Sequence, residues 1–278
     1  MKKIVKIFFI FFLLIFVVNF FYYLLSPTRV AVINISGLIT PNTASTICDQ
    51  LRQAQKDPMY SAILLKINSP GGDAAQSEKI YYLVKQIDKK KPVVALIDSI
   101  GASGAYFAAL GARKIVTYPA SLTGSIGVIF EGINAYKLAN KIGIEDFVVK
   151  SGDVKDAGNP LRKPTKSDKE MIFSVVESVY NQFLNAVASS RHINIEKLKP
   201  LADGRVFTGQ MALKYNLIDS IGGFDAAKAY LQKYTGKKNL KFVELSDSYP
   251  GVSNLFGLSS IKNLLDISKT PSLQMIFK

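Results

Sequence analysis

The chain has 278 residues with a formal net charge of +14, one cysteine and one histidine. A single cysteine excludes an intrachain disulfide, and together with a single histidine it excludes a zinc site built from Cys and His ligands. The basic residues are scattered or lie in short runs, and no RNA- or DNA-binding motif accompanies them. This pattern indicates a solvated basic surface and no nucleic-acid partner. A weak attraction to anionic lipid headgroups is the alternative interpretation.

The first predicted element is a membrane anchor. Residues 7–25 carry no charged side chain and follow Lys2, Lys3 and Lys6. At about 1.5 Å per residue, such a helix nearly spans a hydrocarbon core of about 30 Å. A cleaved signal peptide is the alternative, but the apolar stretch ends in bulky residues where a cleavage site needs small ones. Residues 1–28 are therefore predicted to be a cytoplasmic basic start and a single-pass transmembrane signal anchor. The rest of the chain then lies on the periplasmic or extracellular side of the plasma membrane.

Strand and helix patterns alternate through the next part of the chain. Helical spacing of apolar residues predicts helices at 42–56 and after residue 73. Apolar runs predict strands at 30–35, 62–67, 93–97 and 114–117. Because these strands are almost entirely apolar, they predict an α/β fold with a mostly parallel sheet covered on both faces. The glycine-rich turns that follow two of the strands therefore meet at one edge of the sheet, where sites in such folds lie.

The second half of the chain predicts more helix than strand. Residues 147–150 predict a further strand, a polar loop follows at 151–166, and Ser167 or Asp168 is predicted to cap a long helix that ends near Arg191. The remaining predicted elements are short helices at 194–198, 209–215 and 226–234 and a late strand at 242–245. Residues 29–245 thus form one predicted domain, and residues 246–278 are predicted to be an irregular tail.

Ser103 is the candidate nucleophile. It lies between small residues, in Gly101-Ala102-Ser103-Gly104-Ala105, at a predicted strand-to-helix turn. Such a turn leaves a hydroxyl within reach of a substrate, although tight packing of a helix on the sheet explains the small residues equally well. A serine nucleophile needs a base. His192, the single histidine, lies at the end of the long helix and is interpreted as a surface or capping residue, so a lysine is the favoured base.

Three further turns carry candidate chemistry. The two glycines at 71 and 72 allow backbone amides to approach a ligand as in an oxyanion hole, and an ordinary turn is the alternative. Ser125, in Thr123-Gly124-Ser125-Ile126-Gly127, could hold an amine in place or simply form a turn. Lys155 lies in a polar loop, where most lysines are solvated. It can act as a base only if burial lowers its pKa from about 10.4.

Residues 30–245 resemble the signal peptide peptidase A family, the membrane-anchored serine–lysine peptidases of bacteria, in its short form. Four motifs in the same order and an N-terminal anchor carry the resemblance. The motifs are Asn68-Ser69-Pro70-Gly71-Gly72, Gly101-Ala102-Ser103-Gly104-Ala105-Tyr106, Leu122-Thr123-Gly124-Ser125-Ile126-Gly127-Val128 and Ser151-Gly152-Asp153-Val154-Lys155-Asp156. One departure is Ala105, where the family often has a second glycine. This change alters the shape of the pocket and removes no catalytic group.

The resemblance implies a Clp-protease/crotonase-like fold and a peptidase that needs neither a cofactor nor a metal. The implied roles are nucleophile for Ser103, general base for Lys155, orientation of the lysine for Ser125, and an oxyanion hole formed by the backbone amides of Gly71, Gly72 and Gly104. The implied substrates are remnant signal peptides and other apolar peptides at the inner membrane of a bacterium. The implied assembly is a ring- or dome-shaped homo-oligomer, in which the dyad can be completed across a protomer boundary.

Three other functions remain open at this point. An α/β-hydrolase esterase would use Ser103 with His192 as the base, and the order of the two residues in the chain allows it. A non-catalytic scaffold on the same fold would hold partners at the membrane. A crotonase-like acyl-CoA enzyme is disfavoured by the predicted anchor and the external placement of the domain.

Overall fold

The computed structural model describes residues 11, 13–16, 28–245 and 273–276. Residues 11 and 13–16 are helical and exposed. Within these described ranges, none of the helices is both long and apolar enough to cross a membrane. Most of the predicted anchor, residues 7–25, lies outside the described residues, as does most of the predicted tail after residue 245.

A mostly parallel sheet of eight strands forms the centre of the fold. Its strands are β1 (Thr28–Ser36), β2 (Tyr60–Ser69), β4 (Val93–Ala102), β5 (Lys114–Thr117), β6 (Leu122–Gly124), β8 (Val206–Thr208), β9 (Ser220–Ile221) and β10 (Leu240–Glu244). The order is β10-β1-β2-β4-β5-β9, and β6 continues beside the end of β4. All these pairs are parallel except β6 with β8, which is antiparallel. The predicted mostly parallel sheet is confirmed.

Eight helices and one 3-10 turn surround this sheet within the described part of the chain. They are α1 (Pro41–Lys56), α2 (Ala74–Asp88), α3 (Gly104–Ala109), α4 (Tyr136–Lys141), α5 (Lys166–Arg191), α6 (Ile195–Leu198), the 3-10 turn Lys199–Leu201, α7 (Gly209–Lys214) and α8 (Gly223–Thr235). Capping side chains mark the first residues of several of these helices. Thr40 accepts a hydrogen bond from the Thr43 amide before α1, and Pro41 occupies the first turn, where its missing N–H costs nothing.

Alternate residues of the strands build two apolar cores, one on each face of the sheet. On one face, residues such as Ile33 and Leu65 pack with α1, α2, α3 and α5. On the other face, residues such as Val32 and Leu64 pack against Leu231 of α8. Neighbouring side chains of a strand point to opposite faces, so a strand buried on both sides must be apolar throughout. This requirement explains the continuous apolar runs of the sequence.

Two expectations for the second half of the chain are wrong. Residues 147–150 form no strand, and Phe147 and Val149 are 91% and 85% exposed, because none of the described strands lies beside this apolar run. The long helix is capped by Thr165 rather than by Ser167 or Asp168. The Thr165 hydroxyl accepts from the Asp168 amide at 3.1 Å, and the Asp168 carboxylate accepts from the Thr165 amide at 2.7 Å. Asp168 therefore occupies the N3 position of a capping box with Thr165 as the N-cap.

A second sheet of three short antiparallel strands lies at the carboxyl edge of the large one. Its strands are β3 (Gly71–Asp73), β7 (Ile129–Phe130) and β11 (Leu273–Ile276), with β11 in the middle. β11 falls in the segment 246–278 that was predicted to be irregular. Part of the C-terminal segment, Leu273–Ile276, therefore lies beside the glycine-rich turn near residue 71.

Candidate active site

Three turns meet where β2, β4 and β6 end. The register pairs Ser69 with Gly101, and Ala102 with Gly124. The residues that follow these pairs are Gly71 and Gly72, Ser103, and Ser125. The prediction that the glycine-rich turns share one edge of the sheet is therefore confirmed, and the Ser125 turn joins them there.

Ser103 occupies a strained turn between β4 and α3. Its backbone has φ 53° and ψ −120°, a conformation that non-glycine residues rarely adopt. Two backbone hydrogen bonds hold it: its N–H donates to Gly124 O at 2.8 Å, and its C=O accepts from Phe107 N at 2.9 Å. Its residue surface is 1% exposed in the single chain. A fixed, strained serine between a strand and a helix is the geometry of a nucleophile elbow.

Helix α3, which follows Ser103, is buried along its whole length. Tyr106 is fully buried, and its hydroxyl donates to Leu217 O at 2.7 Å. Burial raises the pKa of the Tyr106 hydroxyl above its ordinary value, so this group stays a neutral donor. Phe107 packs against Phe183 of α5, with ring centroids 4.9 Å apart. Ala105, the departure from the family pattern, is completely buried here, so its methyl group belongs to this packing.

The backbone of the turn at Gly71 and Gly72 lies in close contact with the start of α3. Gly71 and Gly72 have φ values of +101° and +157°. A Cβ atom placed on Gly71 would lie 2.7 Å from Gly104 N, so only a glycine allows this approach. The Gly71 N–H donates to Ser69 Oγ at 3.1 Å and is therefore engaged within the turn.

The amide of Gly72 faces the second sheet. Gly71 O accepts from Ile39 N at 2.9 Å, and Asp73 N donates to Ile39 O at 2.8 Å. Successive peptide groups of a strand point to opposite sides, so the Gly72 N–H and C=O point away from Ile39, toward β11. The three glycines of the predicted oxyanion hole, Gly71, Gly72 and Gly104, therefore lie together beside Ser103, and the role of their amides stays a prediction.

Ser125 occupies a second strained turn next to Ser103. Its φ is 49°, it is 6% exposed, and its N–H donates to Arg205 O at 2.8 Å. The neighbouring Thr123 hydroxyl donates to Gly101 O at 2.8 Å and ties this turn to β4. The register between β4 and β6 makes Ser125 the counterpart of Ser103 on the adjacent strand.

Lys155 lies apart from these serines in the single chain. It is exposed, on a loop after the exposed residues 147–149. No hydrogen bond in the described part of the chain joins its side chain to Ser103 or Ser125. The burial that a lysine base requires is therefore absent within one copy of the chain.

The loop that carries Lys155 is nevertheless held by a network of charges. Arg162 donates to both oxygens of Asp156, at 2.7 and 2.8 Å, and also to Asp168 of α5. Lys150 adds a bond of 2.8 Å to Asp156. Hydrogen bonds from Arg162 hold the pKa of both carboxyl groups well below the usual range for aspartate. The residue next to Lys155 is thus anchored to the long helix.

His192 is the C-cap of α5, in a left-handed conformation with φ 54°. It is exposed, whereas Ser103 is almost completely buried. No hydrogen bond in the described ranges links the two side chains. The interpretation of His192 as a capping residue is confirmed, and the geometry does not support the Ser103–His192 pair of an esterase.

Comparison with known proteins agrees with this geometry. The pattern of peptidase family S49 matches residues 85–238, and that of Clp protease matches residues 21–122. The chain is 34% identical over 231 residues to a putative protease of Synechocystis, covering 82% of this chain and 83% of the relative. It is 32% identical over 263 residues to a putative signal peptide peptidase SppA of Enterococcus faecium, and this match covers 90% of this chain and 76% of the relative.

A longer relative shares the same domain. The chain is 35% identical over 209 residues to Protease 4 of Salmonella typhi, and the match covers 72% of this chain but 34% of that protein. The Clp protease match and the parallel sheet together make this a Clp-protease-like α/β fold. The S49 match covers more than half of the chain. The chain therefore belongs to peptidase family S49, and it is a serine peptidase similar to signal peptide peptidase A and Protease 4.

Proposed function

We propose that the chain is a membrane-anchored endopeptidase in which Ser103 attacks the peptide bond and Lys155 serves as the general base. One observation carries the role of Ser103: it is the serine held in a strained strand-to-helix turn, with the Gly72 and Gly104 amides beside it. A strained backbone that the surrounding structure maintains supports a functional role.

The reaction proceeds by acyl transfer. Neutral Lys155 accepts the Ser103 proton while the hydroxyl oxygen bonds to the carbonyl carbon. The amides of Gly72 and Gly104 donate to the oxyanion of the tetrahedral intermediate. Lys155 then protonates the leaving amine, and a water molecule, deprotonated by the same lysine, releases the acyl group from Ser103. Ser125 accepts a hydrogen bond from the lysine and directs it at the nucleophile.

Lys155 reaches Ser103 of a neighbouring copy in this proposal. Its exposure within one chain supports this arrangement, as does the surface around it. Ile133, Ile142, Phe147 and Val149 are more than half exposed, and such a concentration of apolar side chains marks an interface. Contact with a second copy would bury this surface and remove water from Lys155, and burial favours the neutral amine that a general base requires. The active form is then a homo-oligomer.

Remnant signal peptides and other apolar peptides at the membrane surface are the proposed substrates. The name of the Enterococcus faecium relative, signal peptide peptidase, supports this class. The predicted anchor at residues 7–25 would hold the domain at the surface where such peptides remain. An external bacterial domain with a single-pass anchor is the proposed placement. A cavity beside α3 is lined by the apolar side chains of Ala74, Phe107 and Val179, which suits an apolar peptide.

Hydrolysis of an apolar peptide by the purified full-length protein in detergent tests the dyad. Ser103→Ala and Lys155→Met are expected to abolish hydrolysis, whereas His192→Ala is expected to leave it unchanged. Lys163→Met is the matched control, because Lys163 is an exposed lysine of the same loop. Full activity of the Ser103→Ala or Lys155→Met variant would contradict the proposal.

Mixing the two inactive variants tests the shared site. If Lys155 acts on the neighbouring copy, co-assembled Ser103→Ala and Lys155→Met chains regain activity, with about a quarter of the sites complete after random mixing. Mixed oligomers without any activity would show that both groups act within one chain.

A further inference from the structure

The loop that carries Lys155 has no apolar anchor of its own. Residues 150–165 are all exposed or half-buried, so burial of side chains does not fix the course of this loop. Backbone hydrogen bonds close the turn around Lys155, and one of them joins Lys155 N to Gly152 O at 3.1 Å. These bonds shape the turn without attaching it to the rest of the domain. The direction of the Lys155 side chain therefore depends on the polar contacts of the loop.

Arg162 makes the contacts that attach the turn to the long helix. Its guanidinium donates to both oxygens of Asp156, at 2.7 and 2.8 Å, and to both oxygens of Asp168, one of them at 2.9 Å. The Asp168 side chain is 1% exposed in the first turn of α5, so this end of the network is fixed. A planar guanidinium can pair with two carboxylates in this way, whereas the ammonium of a lysine acts as a point charge.

Further hydrogen bonds hold both sides of the turn. The carbonyl oxygen of Arg162 accepts from Asn134 Nδ2 at 2.8 Å, which joins the end of the loop to the residues before α4. Lys150 donates to Asp153 O and to a carboxylate oxygen of Asp156, both at 2.8 Å. Asp156, the residue next to Lys155, is therefore the point at which the two sides of the loop are joined.

The pairing of Asp156 also affects the charge of its neighbour in the chain. A carboxylate within about 4–6 Å of an amine favours the charged form of that amine, whereas a general base must be neutral. Arg162 and Lys150 engage both oxygens of Asp156 and hold the pKa of this carboxyl well below its usual range. The carboxylate thus stays ionised but is paired with cations other than Lys155.

We propose that Arg162 is a positioning residue: it fixes the turn at Asp156 so that Lys155 points at Ser103 of the neighbouring copy, and it engages the carboxylate that competes for this lysine. The inference rests on the proposed function for the role of Lys155. Arg162 is placed to act through Lys155 and not on the substrate, so its loss is expected to lower kcat and leave KM nearly unchanged. Misplacing a catalytic group by about 1 Å costs about a hundredfold in rate.

The test measures kcat and KM for hydrolysis of an apolar peptide by full-length variants in detergent. Arg162→Gln removes the charge and the paired hydrogen bonds, whereas Arg162→Lys restores the charge alone. Asp156→Ala guards against a folding defect, because it frees the turn and leaves the buried Asp168 paired with Arg162. Arg113→Gln is the matched control, since Arg113 pairs with Asp88 at 3.2 Å near the start of β5, at the edge of the sheet opposite the site.

We expect kcat to fall about a hundredfold in Arg162→Gln and Asp156→Ala and about tenfold in Arg162→Lys, with KM within about twofold of wild type. Arg113→Gln is expected to match wild type. Wild-type kcat in Arg162→Gln and Asp156→Ala, or a higher KM with unchanged kcat, would overturn the inference while an inactive Lys155→Met protein left the proposed function in place. Full activity of Lys155→Met would reject the proposed base and the positioning role together.

Mixed oligomers distinguish positioning from a defect of the whole chain. Arg162→Gln chains keep Ser103, so co-assembly with Ser103→Ala chains, whose Lys155 is correctly held, is expected to complete about a quarter of the sites. Co-assembly with Lys155→Met chains should complete none, because every remaining lysine then lies in a loop without Arg162. If Ser103→Ala and Lys155→Met chains restore each other but neither mixture with Arg162→Gln gains activity, Arg162 supports the whole fold and the inference is wrong. If Ser103→Ala and Lys155→Met do not restore each other, the shared site is rejected and the kcat and KM values decide the positioning role.

Discussion

The strained backbone of Ser103 makes a quantitative prediction about stability. Replacing Ser103 by alanine removes the hydroxyl and keeps the strain, whereas glycine removes both, because glycine tolerates φ 53° and ψ −120°. A residue held in such a region stores about 1–3 kcal/mol. Glycine also gains about 0.5–1 kcal/mol of conformational freedom in the unfolded chain. The Ser103→Gly protein is therefore expected to be more stable than Ser103→Ala by about 1 kcal/mol, and by about 2.5 kcal/mol at most, although both are inactive.

Thermal unfolding of the full-length variants in the same detergent measures this difference. For a domain of this size, 1 kcal/mol moves Tm by about 2–4 °C. Ala105→Gly is the matched control: it is the same alanine-to-glycine change two residues along, inside helix α3, where it is expected to lower stability by about 1 kcal/mol or more. If Ser103→Gly were instead less stable than Ser103→Ala, the turn would hold no strain and the geometric argument for the nucleophile would lose its basis.

Two further predictions concern the supports of the site. Phe183→Ala is expected to lower the free energy of unfolding by about 3–5 kcal/mol, because it empties a fully buried space against Phe107. Phe173→Ala, at an exposed position of the same helix, is expected to change it by less than about 0.5 kcal/mol in denaturant titrations. Arg162 lowers the pKa of Asp168, so this pairing stabilises the fold above the unfolded pKa of about 3.9 and its contribution is lost as the pH falls. We therefore expect the difference in free energy of unfolding between wild type and Asp168→Asn, measured from pH 7 to pH 3, to become smaller below about pH 4. A difference that grows in this range would contradict the role of the Arg162–Asp168 pair.

Local chemistry explains why much of the sheet and its turns could be predicted. The strands buried on both faces are apolar throughout, and the small residues around Ser103 leave few alternatives to a tight strand-to-helix turn. The predicted cap of α5 differs from the observed one by two or three residues, because Thr165, Ser167 and Asp168 can all cap a helix. The reciprocal hydrogen bonds that select Thr165 depend on three-dimensional geometry.

Non-local contacts explain what the sequence could not predict. Residues 147–149 are apolar and β-branched or aromatic, which is typical of a strand, yet no strand in the part of the chain that the structure describes pairs with them. Leu273–Ile276 is too short to be distinguished from the polar residues before it, and its partner β3 lies about 200 positions earlier. The exposure of Lys155 likewise depends on what covers its loop, which no pattern of nearby residues encodes.

The most direct test of the central claim is to identify the residue that an inhibitor directed at serine nucleophiles modifies covalently. The full-length protein is treated with a peptidyl fluorophosphonate that has an apolar side chain next to the reactive phosphorus, and the modified peptide is sequenced by mass spectrometry. The account predicts one adduct on Ser103, reduced in Lys155→Met and absent in Ser103→Ala. An adduct on another residue, or one that persists in Ser103→Ala, would contradict the assignment of Ser103 as the nucleophile.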